Sequence, residues 1–288
     1  MRKFSLTGAL ALVGLLVPAG SLAGSAAAGS ASSVAPVMYH VPIIGKHVVG
    51  APLAHGAQNT TTNVRSTNWS GYADTGATFR TLSSTWVEPT VNCTAGGLLG
   101  LPSLQATYSS FWVGLDGYGS SSVEQTGTDS DCTSSHTPSY YAWYEMYPAG
   151  SVTIPTAQYP VHPGDMMNGL VTSDAAGTSF TLTLSDATRG WTYSTTLAGS
   201  GLTRASAEFV AEAPSQCIAA FCRQLALADF GTVNFSVASV TDTAGKTGTI
   251  SAFSDADIQM ASQTGTVKAT PSALSPDGSA FSVTWSHS

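Results

Sequence analysis

Apolar residues along this chain come in short alternating runs separated by turn residues, as at 85–87, 179–184, 207–211, 232–238, 248–253 and 281–285. A strand repeats every two residues, so such runs predict half-buried strands. No stretch keeps a helical period over twelve or more residues. Many short strands with Gly-, Ser- and Thr-rich gaps predict an all-β fold, an antiparallel sandwich or barrel. The alternation covers 66–288 without an internal repeat or an interdomain linker, which predicts one domain there.

Three strands crowd into residues 109–148. In the first, alternation puts Phe111, Val113 and Leu115 on one face and Trp112, Gly114 and Asp116 on the other. It predicts a half-buried strand with a polar, aromatic display side. The second, 122–128, carries Gln125 among small residues. The third, 140–147, aligns Tyr141, Trp143, Glu145 and Tyr147 on one face. Further on, Ala207, Phe209 and Ala211 oppose Ser206, Glu208, Val210 and Glu212, so two carboxylates share a strand face. Spacing does not choose between them.

The chain opens with Arg2 and Lys3, an apolar run over 9–17 and small residues up to Ala23. That is the pattern of a secretory signal peptide, with a core too short to span a membrane. An exported protein that does not sit in the membrane is expected. Residues 24–65 hold Lys46, Arg65, His40, His47 and His55 but no acidic residue; from 66 onward six cations face seventeen carboxylates, a formal charge of −11. A surface this acidic is unsuited to nucleic acid, whose phosphates need cationic patches. Cys93, Cys132, Cys217 and Cys222 are even in number in an exported chain, which predicts disulfides. Of three possible pairings, Cys93–Cys132 with Cys217–Cys222 is preferred. A C-x4-C spacing with no partner pair is a poor zinc pattern, so no metal is expected.

The pieces NWSGY (68–72), FWVGLDG (111–117), EQTG (124–127), YAWYEMYP (141–148) and AEFVAE (207–212) together resemble the glutamic peptidases of the eqolisin type, secreted acid peptidases. They occur in that family's order. The resemblance implies a sandwich of two curved antiparallel sheets, similar to legume lectins, with the active site on the concave face. It implies a catalytic pair of Gln125 and Glu212, the second glutamate of its motif, and no cofactor. Trp112, Asp116 and Glu145 match positions of the family's cleft, and Tyr147 and Glu208 share its strand faces as supporting candidates. The chain departs from the family pattern in having Tyr141 where an Asp is common and Met146 where an aromatic is common, which bears on substrate preference.

Hydrolysing an amide with water needs a base for the water, an acid for the leaving nitrogen and a donor for the developing oxyanion. One glutamate can act as base and then acid, while a glutamine amide donates without titrating. Two rivals use the same residues: a glycoside hydrolase with Glu145 and Glu212 as its pair, and a lectin-like module with no chemistry. The first gives Gln125 no role, and the second makes no demand on Glu212. His136, His162 and His287 lie in no serine-triad context, and no nucleotide loop is present. A monomer acting on protein or peptide substrates is expected. The resemblance implies that 24–65 is a propeptide ending near Arg65, and the charge split predicts that it is an inhibitor released by acid. One of its Lys or His residues would rest beside Glu212 and Asp116 until acid releases it.

Overall fold

The computed structural model describes residues 38–41, 47–48, 53–55, 59–94, 105–218 and 221–288. Residues 1–23, expected to be a leader, and most of 24–65, Lys46 included, lie outside the described residues. Two large β-sheets build the domain, beside a small sheet of Met38–Tyr39, Ser215–Ile218 and Phe221–Gln224. One runs, strand beside strand, Pro138–Tyr147, Val123–Cys132, Ser110–Leu115, Ala207–Glu212, Trp69–Thr75, Ser254–Ala261 and Asn59–Ser66, with only the last pairing parallel. The other runs Trp191–Ala198, Ser179–Asp186, Met166–Ser173, Phe79–Val87, Thr232–Asp242, Phe281–Trp285 and Val267–Pro271. Ser254–Ala261 also pairs with Val267–Pro271, so one hairpin carries the chain between the sheets. This is the all-β sandwich that the alternation predicts.

The core lies between the sheets. Phe111, Val113, Leu115, Phe209 and Ala211 of the first sheet share one buried cluster with Phe180, Leu182, Leu184 and Phe235 of the second. Tyr72 meets Phe281 edge to face across it, ring centroids 4.8 Å apart. On the second sheet the outward positions are hydroxyls paired across strands, Thr181 with Thr196 and Thr183 with Ser194, which suits a wet face.

The first sheet's other face departs from the expected half-exposed display side. Ser110–Leu115, Val123–Cys132 and Ala207–Glu212 are buried at every position. A second apolar cluster explains this, since Trp69, Trp112, Trp143, Val210 and Ile258 cover that face. The strand expected at 122–128 extends to Cys132, and the one at 140–147 begins at Pro138. Both disulfides form as paired from the sequence, Cys93–Cys132 and Cys217–Cys222. The second clips the hairpin of Ser215–Ile218 with Phe221–Gln224. Residue 65 falls inside the Asn59–Ser66 strand, where Val64 is buried.

Candidate active site

Register alone gathers the polar groups of the first sheet. Gln125 lies opposite Gly114 on one side and Glu145 on the other, while Glu212 lies opposite Ser110 and Trp69. Two motif glycines make room there. A Cβ on Gly127 would stand 2.5 Å from the Trp112 Cβ, and one on Gly114 would stand 2.9 Å from the Gln125 Cβ. Without those carbons Trp112 packs close against both glycines, and its Nε1 donates to Glu212 Oε2 at 2.8 Å.

A piece of the chain's own N-terminal region lies in this site. Met38–Tyr39 adds to the clipped hairpin as a short antiparallel strand, pairing with Gln216 and Ser215. Next to it, Gln125 Nε2 donates to the His40 carbonyl oxygen at 2.8 Å and to Glu145 Oε2 at 3.0 Å. Two acceptors on one atom fix the orientation of the amide, because only its nitrogen has protons to give. The Val41 N–H donates to Glu212 Oε1 at 3.0 Å. Asn68 Nδ2 reaches the Val41 carbonyl at 2.8 Å and Glu212 Oε1 at 3.3 Å. One peptide unit, His40–Val41, is therefore held by Gln125 at its carbonyl and by Glu212 at its nitrogen.

The His40 ring stacks on Trp143, centroids 3.5 Å apart and planes 1° from parallel. Its Nδ1 sits 2.8 Å from Glu145 Oε2, and its Nε2 sits 3.1 Å from Ser110 Oγ and 3.6 Å from Asp129 Oδ1. Burial works against a charge on this ring. Asp129 and Glu145 outweigh burial and lift its pKa to about 10, so the side chain is an imidazolium. Burial also pushes the Glu212 carboxyl up to about 8, against the pull of His40 and of the Trp112 and Asn68 donors. Glu145 is raised too, by burial, with His40 and Gln125 opposing.

A model of the peptidase A4 family matches residues 67–285. The chain belongs to that family. Scytalido-glutamic peptidase with a transition-state analog inhibitor is similar to this A4 peptidase at 26% identity and a TM-score of 0.64, covering 76% of this chain and 98% of its own. SCP-B, a member of the eqolisin family, in a complex with the tripeptide Ala-Ile-His, is similar at 26% identity and a TM-score of 0.59 over the same shares. A search of curated proteins gave no match. The A4 peptidase is thus a glutamic-type endopeptidase of the eqolisin kind.

Not every residue expected at the site stands there. Gln125, Glu212, Trp112 and Glu145 converge, and Tyr147 lies at the rim, edge to face with Tyr39. Asp116 does not join them: it follows the strand's last residue at φ +76, and its carboxylate accepts from the Ala205 N–H at 2.8 Å and the Thr203 hydroxyl. Glu208 shares Glu212's face but sits beyond Trp112, taking the Tyr118 N–H at 3.1 Å. Burial, with Asp116 nearby, lifts it to about 8 despite its Ser206 bond. The sequence reading passed over Asp129, Ser110 and Asn68. Asp129 takes the Trp143 Nε1 and Tyr141 hydroxyl protons, each at 2.7 Å. Alternation from Gln125 through Gly127 would have placed it on the same face.

Proposed function

We propose that this A4 peptidase is an exported acid endopeptidase in which Glu212 and Gln125 form the catalytic dyad. The observation that carries this reading is the His40–Val41 peptide unit, whose carbonyl oxygen takes the Gln125 amide proton while its nitrogen faces Glu212. In a substrate so placed, Glu212 in its ionised form, reached once residues 38–41 no longer bury it, takes a proton from the attacking water, Gln125 Nε2 donates to the oxyanion, and Glu212 returns the proton to the leaving nitrogen. Glu145 fixes Gln125, while Trp112 and Asn68 hold the two oxygens of Glu212. Trp112 and Glu145 therefore act as positioning residues. Asp116 and Glu208 support the far end of the sheet, and Tyr147 lines the groove.

In the same reading residues 1–23 are a leader, 24–65 contain an inhibitory pro-segment and 66–288 form the peptidase. The cation expected beside Glu212 and Asp116 is His40, and its partners are Glu145 and Asp129 instead of Asp116. The ion pair of His40 with Glu145 favours a precursor that is closed near neutral pH and is opened in acid by loss of the segment that carries His40. The mature part's charge of −11 fits a monomer that binds neither nucleic acid nor membrane. The chemistry requires no cofactor. Purified protein, held at about pH 4 with casein or haemoglobin, cleaves both, and pepstatin leaves the cleavage intact. Absence of proteolysis at every acidic pH, with sugar released from a polysaccharide panel, would favour the glycoside hydrolase instead.

A further inference from the structure

The pocket that receives the His40 side chain is more selective than a plug needs. It offers one flat aromatic wall, Trp143, and acceptors at both ends of a five-membered ring: Glu145 Oε2 on the Nδ1 side, Ser110 Oγ and Asp129 Oδ1 on the Nε2 side. Glu145 and Asp129 are buried, and Asp129 is itself pinned by Trp143 and Tyr141. A neutral imidazole has one N–H and serves one end; only the protonated ring donates at both. A phenyl ring would stack as well but leave buried carboxylate oxygens without a donor, a mismatch of the kind that polar pockets reject strongly. A lysine ammonium has no plane to lay on Trp143, and an arginine carries its plane farther from the backbone.

We propose that the pocket walled by Trp143, Glu145, Asp129 and Ser110 selects a protonated histidine on the carbonyl side of the bond to be cut, and that the chain's own His40–Val41 bond is its first substrate. The proposal rests on the dyad reading above and adds to it the side-chain preference and the place of self-cleavage. In that step the water oxygen bonds to the His40 carbonyl carbon and its proton goes to Glu212. The carbon–nitrogen bond then breaks as Glu212 passes the proton to the Val41 nitrogen. The products are an acid ending at His40 and an amine beginning at Val41. A cut there leaves the Asn59–Ser66 strand in its sheet, hydrogen-bonded beside Ser254–Ala261.

The test begins with the full chain incubated at about pH 4 and its new N-terminus read by mass spectrometry; Val41 is expected. The acid-treated protein is then offered peptides copying residues 35–45, with His, Phe, Gln, Lys or Arg at the position of His40. Cutting after His should exceed cutting after Phe or Gln by roughly tenfold or more in kcat/KM. Ser110→Ala should shrink that ratio, chiefly by slowing cutting of the His peptide; if the variant does not fold, the peptide panel alone decides. Equal or faster cutting after Phe, Gln, Lys or Arg overturns the pocket assignment, as does self-cleavage that leaves His40–Val41 intact. Casein digested while the His peptide survives overturns it too. No hydrolysis of casein or of any peptide would instead overturn the dyad reading underneath.

Discussion

Raising the pH from acid to neutral should destabilise this protein, and the far end of its first sheet shows by how much. Glu124 and Glu208 are buried with Asp116 close by. Burial first and Asp116 second lift the Glu124 carboxyl from an ordinary 4.5 to about 9, and burial with Asp116 lifts Glu208 to about 8. Neither Glu124 oxygen has a hydrogen-bond partner among the described residues. The sign follows from proton counting: between pH 4.5 and these raised values the folded chain keeps protons that the unfolded chain releases. Stability is therefore fully present in acid and declines as pH rises. At about 1.4 kcal/mol per pH unit, each group costs about 3 kcal/mol between pH 4.5 and 7. For a domain of this size that is a fall in Tm of roughly 6–12 °C per group. Near-ultraviolet circular dichroism melts over pH 3.5–8, in a Glu212→Gln background that removes self-cleavage, would measure it. Glu124→Gln keeps the shape and cannot ionise, so it should flatten the slope by one group's share. A Tm at pH 7 equal to or above that at pH 4.5, or an unchanged slope in the variant, would refute the reasoning.

Glu212→Gln and Gln125→Ala should each lower kcat by roughly a hundredfold to a thousandfold with unchanged circular dichroism, since one removes the proton carrier and the other the oxyanion donor. Glu208→Gln should leave acid proteolysis nearly intact, and an inactive Glu208 variant beside an active Glu212 variant would reverse the assignment. Replacing Cys217 and Cys222 by Ser removes a short loop closure worth about 2 kcal/mol, a local effect. Because that hairpin pairs with Met38–Tyr39, the variant should convert in acid after a shorter lag, followed by mass. Trp112→Phe removes the Nε1 donor to Glu212. It should lower kcat more than it changes KM, and rescue of kcat by a larger aromatic lacking the N–H would contradict the positioning role.

Much of this was legible in the sequence because a strand's parity is rigid. Once 111–115, 140–147 and 207–212 read as strands, Trp112, the Trp143 and Glu145 pair, and Glu212 each had a fixed face that could converge, and the register brings them together. Parity stops where a strand stops, which is why Asp116, one residue past Leu115, turned out to point elsewhere. Parity likewise says nothing about what covers a face, so the depth of burial on the display side was missed. His40 could not be singled out among the three histidines of its region, since its partner Glu145 is 105 residues away. Glu88 also escaped notice. It receives the Thr128 and Ser130 hydroxyls, and burial, against those bonds and the Trp86 donor, raises it to about 7.

The covalent link between residues 38–41 and the Asn59–Ser66 strand sets how tightly the site is closed. A tethered occupant meets its site at an effective concentration on the order of millimolar, whatever the protein's own concentration. Against that, a contact with an intrinsic Kd of about 10 μM is made about 99% of the time. Cutting His40–Val41 leaves His40 on the departing fragment, whose concentration then drops to that of the dissolved protein. At nanomolar enzyme the same contact is almost never made. Dilution, with no loss of any single hydrogen bond's strength, is enough to make the opening irreversible.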